Sequence, residues 1–145
     1  MKVVVQRVLH SSVSVDEKIV GKIDNGLLVL VGFTYNENEE NIIKMVNKIV
    51  NLRIFDDENH VMNKSLLDIG GSVLSVSQFT LYADTTHGRR PSYIKALNGE
   101  EAIKLYQLFN EELKKYVHVE TGIFGADMKV ELLNDGPVTI IMESE

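Results

Sequence analysis

The chain has 145 residues, and among them there is no cysteine, no tryptophan and only two prolines. Without cysteine, disulfides and thiolate metal sites are excluded outright, and the absence fits a reducing compartment. Long apolar runs are missing as well. Val3-Val4-Val5 meets Gln6-Arg7 at once, which is too short for a signal peptide, and no stretch approaches the roughly 18 residues of a membrane helix. A cytoplasmic protein without a membrane partner is expected. Positive charge is scarce too: 15 Lys and Arg stand against 21 Asp and Glu, a net charge of −6. A broad nucleic-acid-binding face needs Lys and Arg for the phosphates, so none is expected. An enzyme that grips a single RNA end stays open. The candidate basic groups are Arg7, Lys44, Lys48, Arg53, Arg89, Arg90 and Lys95, each read first as solvated surface charge.

Familiar catalytic machinery is also lacking. His10, His60, His87 and His118 are too far apart to suggest a local metal pair. There is no H-E-x-x-H, no Walker lysine loop and no G-x-S-x-G elbow. Gly70-Gly71 precedes a strand rather than a helix, so a plain turn is favoured over a phosphate cradle. Asp56-Asp57-Glu58 lacks the ligand spacing of a calcium loop and reads as solvated charge. No metal and no cofactor are expected.

What is present describes one domain over residues 1–145. Hydrophobic residues make up 44% and charged residues 25%, near the globular average, so a core can form without staples. Residues 3–8 are valine-rich, and Val13 and Val15 alternate with Ser12 and Ser14, the period of a half-buried strand. Asp16-Glu17-Lys18 reads as a turn before a strand at 19–23. Asn25-Gly26 reads as a hairpin turn, and the apolar run 27–33 as a buried central strand. A helix is expected over 37–51, capped by Asn36 with Glu39 completing a capping box. Its apolar face would be Ile42, Ile43, Val46, Ile49 and Val50. A second helix, 99–115, starts at Asn98 and buries Ala102, Leu105, Tyr106, Phe109 and Leu113. Further strands are expected at 52–55, 72–78, 117–121, 128–133 and 138–142. The class is α+β: a mainly antiparallel sheet, curled toward a barrel, with two main helices packed outside.

Ser77 and Thr80 fall at the end of the strand beginning at Ser72. Either hydroxyl could be a nucleophile if a base lay beside it, but the sequence places none of His10, His87 or His118 there. Hydrogen bonding to the backbone at a strand end accounts for them equally well.

Two segments carry a resemblance: Ser77-Gln78-Phe79-Thr80-Leu81 and Asn134-Asp135-Gly136-Pro137-Val138-Thr139. With Val5-Gln6-Arg7, Met62-Asn63, Ser65-Leu66, Asp68-Ile69-Gly70-Gly71, Gly88-Arg89-Arg90-Pro91-Ser92, Thr121-Gly122 and Phe124-Gly125-Ala126-Asp127-Met128, the chain resembles the D-aminoacyl-tRNA deacylases over nearly its whole length. It departs at Lys64, where the family more often has an apolar residue, and at Asn98, where a proline is usual. Asn98 preserves a helix start.

The resemblance implies an editing hydrolase that cleaves the ester between a D-amino acid, or mischarged glycine, and the 3′-terminal adenosine of tRNA. It implies a homodimer in which a cis Gly136-Pro137, supported by Asn134 and Thr139, enters the partner's active site and rejects L residues by steric clash. Ser77, Gln78, Phe79 and Thr80 would form the catalytic wall, with main-chain N–H groups facing the developing oxyanion. Arg7, Arg89 and Arg90 are candidates for tRNA contact or for support of the motif. A conventional esterase with Ser77 or Thr80 as nucleophile, a non-catalytic RNA-binding module and a purely structural dimer remain as alternatives.

Overall fold

The computed structural model describes residues 1–144. Its frame is the long strand β1 (Lys2–Val15), whose two edges are both occupied. On one edge lie β2 (Lys18–Ile23) and β3 (Gly26–Gly32), one beyond the other. β2 pairs with the C-terminal part of β1 (Ser11 opposite Ile23) and β3 with the N-terminal part (Val8 opposite Gly26), both antiparallel. The hairpin that reverses the chain is therefore Asp16-Glu17, with φ of 50° and 65°. Two consecutive positive φ values are what a right-twisted two-residue hairpin requires.

Asn25-Gly26, expected as the hairpin, is instead a break between two collinear strands. Glycine at 26 is required for proximity: a Cβ there would stand 1.9 Å from the Ser72 carbonyl oxygen. The Asn25 carbonyl accepts from the Ser72 N–H at 3.2 Å, and β6 (Ser72–Ser77) then runs parallel to β3.

Between β3 and β6 lie α1 (Glu39–Asn51), the short ribbon of β4 (Phe55–Asp56) and β5 (Met62–Lys64), and α2 (Leu66–Ile69). The expected strand at 52–55 shrinks to Phe55–Asp56, and α2 was not anticipated. Ser65 and Asp68 close a capping box at its start, and Gly70, with φ 62°, ends it in the left-handed conformation, the habit of a helix C-terminus. The cap of α1 is Asn38, not Asn36: its side chain accepts from the Asn41 N–H at 2.9 Å, while Asn36 sits in the preceding turn at φ 65°. The buried face shifts accordingly, with Met45 turned inward and Ile43 exposed.

A one-turn 3-10 helix (Phe79–Tyr82) follows β6. Then come α3 (Gly99–Lys114), β7 (Val119–Thr121), parallel to β6, and β8 (Lys129–Glu143), antiparallel to β1 along its whole length. Asn98 caps α3 through the Glu101 N–H at 3.1 Å. Three of the five pairings in the main sheet are antiparallel, matching the expected class, and β3–β6 and β6–β7 are the parallel exceptions. The sheet curls nearly closed: a Cβ on Gly21 of β2 would come within 2.6 Å of the Thr121 carbonyl of β7.

Alternation along β3 divides the interior. Leu27, Val29 and Val31 join the cluster under α1 and α3, with Ile42, Val46, Ile49, Phe109 and Leu113. Leu28 joins the cluster inside the curl with Val8, Val13, Ile23, Leu74 and Val76. A strand buried on both faces reads as an unbroken apolar run for this reason. None of the described helices is long and apolar enough to cross a membrane.

Candidate active site

β6 carries Ser77 to the end of the parallel ladder. The Gln78 N–H extends that ladder by donating to the Val31 carbonyl at 2.8 Å, and the Leu81 N–H turns back to the Gln78 carbonyl at 3.2 Å. The first N–H groups of any helical turn have no partner within it. Here those groups belong to Phe79 and Thr80, and neither has an acceptor among the described residues. Gln78, considered with them as an oxyanion donor, has already committed its N–H to the sheet. Its side-chain amide donates to the Thr80 hydroxyl.

The Phe79 ring is 55% exposed and meets Tyr93 edge-on, with centroids 5.2 Å apart. Beside this turn opens a cavity of about 430 Å³, lined by Ser77, Gln78 and Phe79 on one side and by Phe33, Phe124 and Met128 among others. The whole 124–128 segment lines this cavity, a placement that no local sequence pattern signals. The one carboxylate in the lining, Asp127, is exposed and pairs with Lys129 at 3.0 Å.

Among the described residues no histidine lines this cavity, and none hydrogen-bonds Ser77 or Thr80. His10 faces a separate groove between β1, β2 and β8. His118 pairs with Glu120 at 3.0 Å, His60 occupies a turn at φ 59°, and His87 lies on an exposed loop. Neither Tyr82 nor Tyr106 offers a base. Burial pushes the Tyr82 hydroxyl up to about 12. Burial also raises that of Tyr106, which donates to the Ser75 carbonyl at 2.8 Å behind β6. A hydroxyl nucleophile therefore has no activating group in place.

The second motif does not separate two strands, expected at 128–133 and 138–142, but forms a bulge within one, β8. Gln6 stands opposite Thr139 and Val8 opposite Asn134, so four residues of β8, 135–138, face the single residue Arg7. Extra residues in one strand push outward and re-aim the chain. The neck is tied by Asn134, whose amide donates to the Arg7 carbonyl at 2.9 Å and to the Val138 carbonyl at 3.0 Å. The Thr139 hydroxyl accepts from the Gln6 side chain at 3.3 Å.

Arg7 fills the space behind the bulge. It is buried and donates to the Asp135 carbonyl (3.2 Å) and the Ile54 carbonyl (2.9 Å). Its guanidinium also meets the carboxylates of Asp56 (3.3 Å) and Asp135 (3.2 Å). Asp56, read as solvated charge, is thus partly engaged. Gly136 has φ 117°, and a Cβ on it would lie 2.9 Å from Arg7 Nη2. Positive φ and close approach both favour glycine there. The Gly136–Pro137 bond is cis, and Gly136 and Pro137 are both exposed.

The two motifs do not share a cavity. Ser77, Val31, Val3 and Met142 form one row across β6, β3, β1 and β8. Pro137 is three strand spacings away from Ser77, roughly 14 Å, and about four residues further along, roughly 13 Å. Arg89 and Arg90 lie elsewhere again, on the exposed 84–92 loop.

Comparison with known proteins agrees with the sequence motifs. A family model described as D-Tyr-tRNA(Tyr) deacylase matches residues 4–143. A protein of Clostridium botulinum (strain Langeland / NCTC 10281 / Type F), named D-aminoacyl-tRNA deacylase, is 58% identical, with 100% of this chain and 98% of that protein covered. A protein of Flavobacterium psychrophilum with the same name is also 58% identical at the same coverage. Among solved structures, one titled c-Myc DNA Unwinding Element Binding Protein superposes with a TM-score of 0.95 at 40% identity, covering 100% of this chain and 99% of that one. Another, titled as a probable eukaryotic D-amino acid tRNA deacylase, has a TM-score of 0.84 at 17% identity, covering 97% of both chains, and shares the fold. With motifs, fold and full-length similarity in agreement, this chain belongs to the D-Tyr-tRNA(Tyr) deacylase family.

Proposed function

We propose that this protein hydrolyses D-aminoacyl-tRNA, and glycyl-tRNA mischarged in the same way, as a cytoplasmic homodimer. Each active site joins the cavity of one protomer to the Gly136-Pro137 bulge of its partner. The observation that carries this reading is the separation of the two motifs within one chain: the lining of the cavity beside Phe79 includes no residue of the second motif, and Gly136 and Pro137 stand exposed on β8. A two-fold interface is self-complementary, so one contact completes two sites. The apolar side chains flanking the bulge, Leu9, Leu133 and Ile141, are all exposed, which suits burial against a second copy.

In this reading Pro137 and the neighbouring carbonyls meet the α-carbon of the bound aminoacyl group on the side where an L side chain would project. Clash excludes L residues, while glycine, lacking a side chain, passes. Because main chain does the sensing, many D side chains are accepted. Phe79 and Phe124 offer surfaces for the terminal adenosine, as RNA ends are commonly held by stacking. Water attacks the ester carbonyl carbon, and the resulting oxyanion lies against the free N–H groups of Phe79 and Thr80. The bond to the ribose oxygen then breaks, and that oxygen takes the proton. The adjacent 2′-hydroxyl positions the water, so no side-chain base is required.

Incubation with matched D- and L-aminoacyl-tRNA tests the activity: D-selective release of amino acid is expected, and equal release or none would refute it. The shared site is tested by mixing two inactive variants, one altered at Phe79 and one at Pro137. Recovery of activity on subunit exchange is expected. Failure to recover, with heterodimers present, would rule out a cross-subunit site.

A further inference from the structure

The 3-10 turn that carries Phe79 leads directly into a loop closed by mutual hydrogen bonds between Asp84 and Ser92, at 2.8 and 2.9 Å. Asp84 is the only carboxylate between residues 83 and 97, and it is occupied. It accepts from the Thr86 N–H (3.0 Å) and hydroxyl (2.7 Å) and meets Lys95 at 3.5 Å. The bonds from Thr86 hold its carboxyl below the usual carboxylate range. Arg89 and Arg90 at the tip are exposed and have no acidic partner among the described residues. In a chain of net charge −6, this is a local excess of positive charge left uncompensated on the loop that follows the Phe79 turn. The loop then returns at Tyr93, which is 42% exposed and touches the exposed Phe79 ring. Arg89 is three residues from Ser92, so the cationic tip lies within about 10 Å of the loop's base.

Exposed aromatic rings beside unpaired arginines are the combination that holds single-stranded RNA: rings stack on bases and guanidinium groups meet phosphates. A duplex would need a broader basic face. We propose that residues 84–95 form a docking strip for the unpaired nucleotides that precede the terminal adenosine of the tRNA. Arg89 and Arg90 hold their phosphates, and Tyr93 stacks on one of their bases. The proposal rests on the deacylase reading and names the part of the substrate that reaches beyond the cavity.

Two substrates separate the strip from the chemistry: a D-aminoacyl-tRNA and the corresponding D-aminoacyl-adenosine, which has no nucleotide for the strip to hold. The R89A/R90A double variant is expected to lose tenfold or more in kcat/KM on the tRNA, roughly, and to change less than about twofold on the adenosine ester. Its salt dependence on tRNA should flatten by roughly 1.4 in log–log slope, about 0.7 for each single-strand phosphate contact. Tyr93→Ala should also lower kcat/KM on tRNA alone, with Tyr93→Phe restoring it. Equal losses on both substrates, no loss on either, or a changed oligomeric state in sedimentation would each overturn the strip. Wild-type protein that releases no D-amino acid from either substrate would remove the deacylase reading itself, and the strip with it.

Discussion

Replacing Arg7 by alanine is the most direct way to loosen the bulge without touching it. Arg7 holds the Asp135 carbonyl and the Ile54 carbonyl, and it faces two carboxylates. The Ile54 bond is buried, and an orphaned buried acceptor costs about 1–3 kcal/mol. The side chains of Asp56 and Asp135 are 43% and 38% exposed. They stay hydrated when Arg7 is lost, so the two ion pairs together contribute only about 1 kcal/mol after screening. The sum, roughly 2–4 kcal/mol, corresponds to a fall in Tm of about 6–14 °C for a domain of this size. The protein should still fold, which makes the functional readout usable. With its anchor gone, the bulge no longer holds one position, and a wall that moves discriminates poorly. The ratio of kcat/KM for D- over L-aminoacyl-tRNA is expected to fall at least about tenfold, or about 1.4 kcal/mol of lost discrimination. Arg7→Lys keeps the charge but cannot fork between two carbonyls, so it should fall between wild type and Arg7→Ala. Calorimetric melting and single-turnover deacylation measure the two quantities. An Arg7→Ala protein with a Tm within about 2 °C of wild type and an unchanged D/L ratio would refute the assignment of Arg7 as the anchor.

Thr80→Ala should keep activity within about tenfold of wild type, because the proposed oxyanion contacts are main-chain. Loss to background in a folded protein that still binds tRNA would favour a Thr80 nucleophile. Gly136→Ala adds a Cβ at φ 117° and 2.9 Å from Arg7 Nη2. It should cost about 1–3 kcal/mol of stability and most of the D-selective turnover; unaltered kinetics would show that the bulge is slack. Asn134→Ala removes both bonds across the neck and should lower stability by about 1–3 kcal/mol in denaturant titration with a parallel loss of D/L discrimination. Gly26→Ala would press a Cβ to within 1.9 Å of the Ser72 carbonyl and should unlatch β6, which soluble yield and far-UV circular dichroism would report.

The legible parts of the fold were those set by local pattern. The run 27–33 declared a strand buried on both faces, and Asn98 with Glu101 declared the start of α3. Asn25-Gly26 misled because its composition is that of a turn, while the reason for glycine lies in β6, more than forty residues away. Asn36 misled because Asn38 satisfies the same rule and only the path from β3 chooses between them. At the site, the motifs were legible as words and not as geometry. The unpartnered N–H groups at Phe79 and Thr80 follow from where β6 ends, and the commitment of Gln78 to Val31 follows from the parallel register. Arg7 appeared as one basic residue among seven, and its burial depends on a register in which it faces four residues at once.

That register connects stability to the proposed function. Among the described residues β8 is a fifteen-residue strand paired on one side only, and a long regular edge of this kind invites uncontrolled pairing. The bulge divides the strand into two shorter ladders with a projection between them. Projection blocks edge-to-edge addition, since a flat strand cannot pass over Pro137. In the proposed dimer it would also restrict association to a partner with a cavity that receives Pro137. The proposed receiver is the cavity beside Phe79, on every copy of the same chain. The interruption that protects the edge thus specifies the partner in this reading. Arg7, by filling the space behind the projection, makes protection and recognition depend on the same buried side chain.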